Sequence, residues 1–152
     1  MPDDTLTASG TASGTASGNR PDPALMRGVI PYLSLDGRAA EAAHFYARAF
    51  GAREHGRFAD EENPGRLMHI QIEINGGCLM MTDCRAPWET EAPKPQGFHL
   101  QLVVPDGDAW WSRALAAGCT VVMPFERQFW GDRWGMIRDS FGIDWAIDEP
   151  AA

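Results

Sequence analysis

Residues 128–145 read QFWGDRWGMIRDSFGIDW and decide the fold. Their first half, residues 129–135, holds three aromatic residues and two glycines, a mixture that suits neither a regular helix nor a plain strand. It predicts a tight turn that presents large rings and one guanidinium group. The second half predicts a turn between two strands, because Gly142 can adopt the positive φ that other residues resist. The sequence therefore predicts a hairpin with a rim of aromatic rings and arginine. The alternative for the tryptophans is ordinary core packing, where most large rings lie.

The same order of elements appears twice along the chain. The second copy has predicted strands at residues 99–104, 119–123, 133–138 and 143–147, with a helix after residues 105–107. The first copy has predicted strands at residues 29–35, 52–58, 67–74 and 77–83, with a helix that starts at Arg38 and is capped by Asp36. Gly37 and Gly51 precede Gly107 and Gly118 by 70 and 67 residues, and this near-constant offset marks an internal β-α-β-β-β repeat.

The predicted fold class is α+β, with two βαβββ modules whose curved antiparallel sheets surround a pocket. The helices cover the apolar face of each sheet, so the opposite face is left to line a cavity. Because side chains alternate along a strand, His69, Gln71 and Glu73 share that inner face in the first module. His99 and Gln101 share it in the second module, and the alternation in the last strand predicts Asp144 beside them.

Composition limits the classes of function. The chain has 152 residues, which predicts one domain with a substantial core. Its net charge is −8 and its 13 basic residues are scattered, which argues against a nucleic-acid partner. No apolar run approaches the roughly 20 residues of a membrane helix, so no membrane partner is expected. Three cysteines without a CxxC pair indicate a reduced, cytoplasmic location.

The N-terminal residues differ from the rest in composition. Residues 7–18 repeat TASG three times, and such small polar residues cannot bury enough apolar surface to offset the entropy of ordering. Residues 1–25 are therefore predicted to be a disordered, low-complexity tail. The single folded domain is predicted at residues 26–152, with module 1 at 28–84, a proline-rich linker at 85–96 and module 2 at 97–148.

Several segments together resemble one protein family. They are IPYL at 30–33, FYARAFG at 45–51, AGCTVVMP at 117–124, FWGDRWG at 129–135 and RDSFG at 138–142. The chain resembles the PhnB-like branch of the vicinal oxygen chelate (VOC) superfamily, which includes glyoxalase I, extradiol dioxygenases and bleomycin-resistance proteins. The resemblance covers about residues 28–148. It implies paired βαβββ modules, a homodimer, and a small-molecule pocket inside each curved sheet.

The resemblance also implies where catalytic metal ligands would lie. The metal enzymes of the superfamily place four ligands at matching strand positions. In this sequence the first falls at Pro31 and the fourth at Ala146, neither of which has a side-chain donor. The third falls at His99, and the second falls near residues 69–71. A catalytic divalent site normally takes three protein ligands and an open position, so a standard metal site is disfavoured.

Two hypotheses of function follow. In the first, the protein binds a small organic molecule without a standard catalytic metal, and the ligand contacts are expected from His69, Gln71, His99, Gln101, Phe129, Trp130, Arg133 and Trp134. The rings would be stacking walls, and Arg133 would anchor an anion or carbonyl. In the second, a metal-assisted lyase, isomerase or dioxygenase uses a reduced ligand set of His69, His99 and Asp144 (or Glu73). That set suits Zn²⁺, Fe²⁺, Ni²⁺ or Mn²⁺. A third reading is a dimeric interaction module whose own side chains fill the pocket.

Overall fold

The computed structural model describes residues 20–85, 90–91 and 94–152. Residues 1–19 of the predicted tail lie outside these ranges, as do six positions of the predicted linker, residues 86–89 and 92–93. Neither α-helix of the described chain is long and apolar enough to cross a membrane.

The described chain folds into two four-stranded sheets, each with one α-helix. Sheet 1 contains β1 (Tyr32–Ser34), β2 (Arg53–Ala59), β3 (Leu67–Ile74) and β4 (Gly77–Thr82), with α1 (Ala39–Phe50) between β1 and β2. Sheet 2 contains β5 (Leu100–Val103), β6 (Thr120–Arg127), β7 (Arg133–Arg138) and β8 (Asp144–Glu149), with α2 (Gly107–Ala117) between β5 and β6. The predicted pair of βαβββ modules is confirmed.

Both sheets have the same strand order, first–fourth–third–second within each module. The first strand runs parallel to the fourth, and the other neighbours are antiparallel. The sheets are therefore mixed, with one parallel pair in each of the predicted antiparallel sheets. The helical crossover after each first strand lets the second strand run in the same direction as the first. The two chain reversals that follow then leave the fourth strand parallel to the first.

Two strand boundaries differ from the predictions for identifiable reasons. β1 begins at Tyr32, later than predicted. Val29 has a β-favouring side chain but lies outside the strand, where it is 98% exposed and has no sheet neighbour to pack against. β6 continues to Arg127, past Pro124. Proline cannot donate to a sheet ladder but is tolerated at an edge, and β6 is an edge strand of sheet 2.

One hydrophobic core joins the two modules. Tyr46 and Phe50 of α1 are fully buried against Trp145 of β8, with ring centroids 5.2 and 4.6 Å apart respectively. Ile70 and Ile72 of β3 and Ile137 of β7 belong to the same buried cluster. Because the helices and these apolar side chains lie on one side of each sheet, the other side faces away from the core.

The helix ends confirm some sequence signals and correct one. Gly51 and Gly118 end α1 and α2 in the left-handed conformation, as predicted. The prediction that Asp36 caps α1 is wrong. Asp83, at the end of β4, accepts the Gly37 and Ala39 amides through Oδ1 at 2.8 and 2.9 Å. A carboxylate more than 40 residues away in sequence thus takes the capping role that the local pattern gave to Asp36.

The DSFG segment forms the predicted turn between β7 and β8, and Asp139 explains its form. The Asp139 Oδ1 atom accepts the amides of Phe141 and Ile143, at 2.8 and 2.9 Å. Its Oδ2 atom accepts the Tyr46 hydroxyl and the Trp145 indole N–H, at 2.7 and 2.9 Å. One buried carboxylate therefore shapes the turn and fastens α1 of module 1 to sheet 2.

Candidate functional site

The side of each sheet that faces away from the helices is called here its inner face. In sheet 2 this face is identified by strand register, because in-register residues of neighbouring strands point to the same side. Trp145 and Ile147 of β8 lie in the core, so the alternate residues of that strand belong to the inner face. The inner face of sheet 2 carries Gln101 and Val103 of β5, Asp144, Ala146 and Asp148 of β8, and Trp134, Met136 and Arg138 of β7.

Aromatic rings border this face. The Trp134 ring contacts the His99 ring edge-on, with centroids 6.3 Å apart, and the Trp130 ring with centroids 6.4 Å apart. Trp130 is half-exposed and in turn contacts Phe129, which is 97% exposed. The turn at residues 128–132 thus places Trp130 beside Trp134, while Phe129 extends beyond them into solvent.

A chain of hydrogen bonds crosses the same face. The Trp134 indole N–H donates to Gln101 Oε1 over 3.4 Å, and Gln101 Nε2 donates to Asp148 Oδ2 over 2.9 Å. The second carboxylate oxygen, Asp148 Oδ1, is buried and has no hydrogen-bond partner in the described part of the chain. Burial raises the pKa of Asp148, and the nearby Asp132 charge raises it further. Asp148 was not a predicted site residue, although its alternation with Asp144 in the sequence was the signal that could have identified it.

His99, whose ring contacts Trp134, is also a neighbour of Asp144, which lies at the other end of this face. Hydrogen bonds from Arg138, at 2.7 and 3.0 Å, hold the pKa of Asp144 below its usual range, and the His99 charge acts in the same direction. A cleft of about 370 Å³ opens beside them and is lined by Phe98, Arg138, Asp144 and neighbouring residues of the loops. The inner face of sheet 2 thus has a charged end at Asp144 and an aromatic end at Trp134.

Arg133 does not lie on this face. Its guanidinium donates to both carboxylate oxygens of Asp108, at 2.9 and 2.7 Å, and lies 4.4 Å from the centre of the Phe125 ring. These contacts hold it on the helix side of sheet 2, near the start of α2. Because side chains alternate along β7, Arg133 and Trp134 point to opposite sides, so this arrangement does not favour the predicted anion anchor.

The inner face of sheet 1 places His69 between two aromatic side chains. The Tyr32 hydroxyl and His69 Nδ1 are 2.5 Å apart, and the Phe58 and His69 ring centroids are 6.1 Å apart. His69 Nε2 is buried without a hydrogen-bond partner among the described residues. Burial lowers the pKa of His69, which favours the neutral imidazole. Glu73, on the same face, is held by Arg53 and His55 at 2.7 and 2.9 Å.

Residues 20–25, called here the strap, cover part of sheet 1. The Asp22 amide donates to Gln71 Oε1 at 2.5 Å, and Gln71 Nε2 donates back to the Asp22 carbonyl at 3.1 Å. Gly56 lets the strap approach, since a Cβ at that position would lie 2.5 Å from the Arg20 carbonyl carbon. Gln71 is fully buried as a result. The predicted tail therefore includes six residues with defined contacts, and the domain boundary at residue 26 stays a prediction.

One chain does not bring the predicted metal ligands together. His69 lies on sheet 1, whereas His99 and Asp144 lie on sheet 2, and Asp144 is already engaged by Arg138. Within residues 20–85, 90–91 and 94–152, no group of three or more His, Cys, Asp or Glu side chains is arranged to hold a metal ion. The side chains of a single copy therefore do not fit the reduced ligand set.

Solved structures share this architecture. Protein PA1353 from Pseudomonas aeruginosa superposes with a TM-score of 0.67 and 26% identity, covering 83% of this chain and 99% of that chain. The PhnB protein from Bacillus cereus superposes with a TM-score of 0.65 and 21% identity, covering 82% of this chain and all of that one. The second likeness is one of fold alone.

Sequence relatives extend over most of the chain. An uncharacterized protein of Mycobacterium tuberculosis, Rv0887c, is 39% identical over 137 residues, which is 85% of this chain and 75% of that protein. Protein YjdN of Escherichia coli is 27% identical over 139 residues, covering 78% of this chain and 92% of that protein. The family model for the glyoxalase/bleomycin resistance protein/dioxygenase superfamily matches residues 30–147. Because this match spans well over half of the chain and reaches all eight strands of the two βαβββ modules, the chain belongs to the glyoxalase/bleomycin resistance protein/dioxygenase superfamily.

Proposed function

We propose that this protein binds a small organic molecule on the inner face of sheet 2, without a standard catalytic metal site. The observation that carries the proposal is the position of Trp134, which contacts the His99 and Trp130 rings and donates to Gln101. Half-exposed rings offer flat apolar walls, and a few fixed polar groups beside them orient a ligand. His99 and Gln101 are the polar contacts predicted from the sequence that lie within this arrangement.

We also propose membership of the PhnB-like branch and assembly as a homodimer in the cytoplasm. The WGDR and DSFG segments and the likeness to the Bacillus cereus PhnB fold support the branch. The dimer is supported by large apolar side chains that remain exposed on the inner faces, which are Tyr32 and Phe58 of sheet 1 and Val103 and Met123 of sheet 2. A second copy laid over these open faces would bury them and turn an open surface into a pocket.

The binding proposal is tested by a ligand-observed NMR screen of flat aromatic compounds. The wild-type protein is compared with Trp134→Ala and with a matched control, Trp110→Phe, on helix α2. We expect hits that bind the wild type and the control but not Trp134→Ala, because only that change removes a wall of the proposed site. Hits that bind Trp134→Ala as strongly as the wild type would place the ligand elsewhere.

A second candidate function is metal-assisted lyase, isomerase or dioxygenase chemistry, and one observation favours it. His69 Nε2 is buried and has no partner in the described chain, and burial favours the neutral imidazole that a metal requires. Since one copy does not assemble the ligand set, a metal would have to draw on sheet 1 of one copy and sheet 2 of another. Elemental analysis of protein purified without chelator decides this. Near-stoichiometric metal that disappears in both His69→Ala and His99→Ala would favour this candidate over a metal-free binding site.

A further inference from the structure

Gln101 on the inner face of sheet 2 has only one orientation that satisfies its neighbours. An indole N–H can only donate, and an ionised carboxylate can only accept. Gln101 must therefore turn its oxygen to Trp134 and its amide nitrogen to Asp148, which is the arrangement observed at 3.4 and 2.9 Å. This chain of donors ends on Asp148 Oδ2.

The other carboxylate oxygen, Asp148 Oδ1, takes no part in this chain of hydrogen bonds. It is buried, and no described residue donates to it. The in-register residues on the flanking strands are Val103 on β5 and Trp134 on β7, whose side chains offer no further donor to this oxygen. A buried acceptor without a donor is unfavourable, so a ligand group that supplies a donor gains more here than at an exposed carboxylate.

The charges around Asp148 indicate which kind of hydrogen-bond donor a ligand should present to its carboxylate. Asp132 is close enough to raise the pKa of Asp148, so a second acidic group already contributes negative potential. Arg138, on the same face, is paired with Asp144 at 2.7 Å, and Arg133 is turned to the other side of the sheet. An anionic ligand would meet repulsion at this end of the face, whereas an ammonium group would meet attraction.

We infer that Asp148 is the specificity-determining residue of the binding face, which selects ligands that carry a hydrogen-bond donor beside a flat apolar ring and rejects anions. An ammonium group is preferred over a hydroxyl group, and both are preferred over a carboxylate. The inference rests on the proposed function, since Trp134 supplies the wall against which the ring lies. This preference for cations is the opposite of the anion preference that the sequence predicted from Arg133.

The test uses three probes that share one ring, which are 2-naphthylmethylammonium, 2-naphthalenemethanol and 2-naphthoate. Their affinities for the full-length protein are measured by titration calorimetry or ligand-observed NMR. We expect the ammonium probe to bind about tenfold or more tightly than the naphthoate, because charge-assisted hydrogen bonds are the stronger kind. Asp148→Asn should bring the three affinities close together. The matched control Glu61→Gln, which removes one negative charge from the exposed loop between β2 and β3, should keep the wild-type order.

The outcomes separate the inference from the proposed function. Equal affinities for the three probes in the wild type, lost together in Trp134→Ala, would overturn the role of Asp148 and leave the binding face in place. An unchanged preference in Asp148→Asn would overturn the inference as well. Binding of none of the three probes to folded wild-type protein would count against both the inference and the proposed function.

Discussion

At the scale of single residues, Asp139 shows how one side chain serves both the turn and the joint between modules. Its two oxygens accept four hydrogen bonds, two from turn amides and two from Tyr46 and Trp145. The isosteric Asp139→Asn replaces one acceptor oxygen by a donor that faces other donors. We expect a loss of roughly 2–4 kcal/mol in the free energy of unfolding, measured with urea. Tyr46→Phe, which removes only one of the four bonds, should cost about 1–2 kcal/mol. Equal losses in the two variants would contradict the shared role of the carboxylate.

The cysteines allow a second prediction at this scale. Cys119 is buried, and burial raises the pKa of its thiol to about 12, whereas Cys84 is exposed. At pH 8 only roughly one Cys119 thiol in ten thousand would be ionised, and the thiolate is the reactive form. We expect iodoacetamide to label Cys84 in the native protein and Cys119 only after unfolding, with the sites read by mass spectrometry. Native labelling of Cys119 at the Cys84 rate would show that module 2 opens readily around it.

At the scale of elements, the strap is an intramolecular occupant of the inner face of sheet 1. Gly56→Ala would place a methyl group 2.5 Å from the Arg20 carbonyl carbon and 2.8 Å from the Pro21 nitrogen, so we expect the strap to move away from β2. The Asp22 amide, which donates to Gln71, should then lose its protection from hydrogen exchange, as followed by NMR. Gly77→Ala is the control, because its new methyl group meets only the Ile74 carbonyl oxygen at 3.4 Å. Unchanged protection of Asp22 in Gly56→Ala would mean that the strap does not depend on the space at Gly56.

The elements also show what the sequence could and could not reveal. The strands β3 and β7 and the glycine-ended helices were predicted because their signals are local, namely alternation, 3–4 spacing and positive φ. The cap from Asp83 to α1 and the contact of Asp22 with Gln71 join residues 44 and 49 positions apart, and no local pattern encodes such pairs. The candidate site divides in the same way, between features with a local sequence signal and features that depend on residues distant in sequence. Alternation placed His99 and Gln101 on one face, and the aromatic turn at residues 129–135 predicted Trp134 as a wall of the site. The orientation of Arg133 away from that face depends on Asp108, which lies 25 residues earlier.

At the scale of the whole molecule, the two inner faces are surfaces on which large apolar side chains stay exposed. Sheet 1 exposes Phe58 and sheet 2 exposes Met123, at 43% and 46%, on sides that neither helix covers. If a second copy covers these faces, sedimentation equilibrium should give about twice the 16.7 kDa mass of one chain. Met123→Glu should return the protein to monomers without unfolding it, because the new charge is solvated in one chain but buried in a pair. Val29→Glu is the control, since Val29 is 98% exposed and lies outside both sheets. A wild type that sediments as one chain would leave each inner face open to solvent, and the aromatic wall at Trp134 would then bind its ligand from one side only.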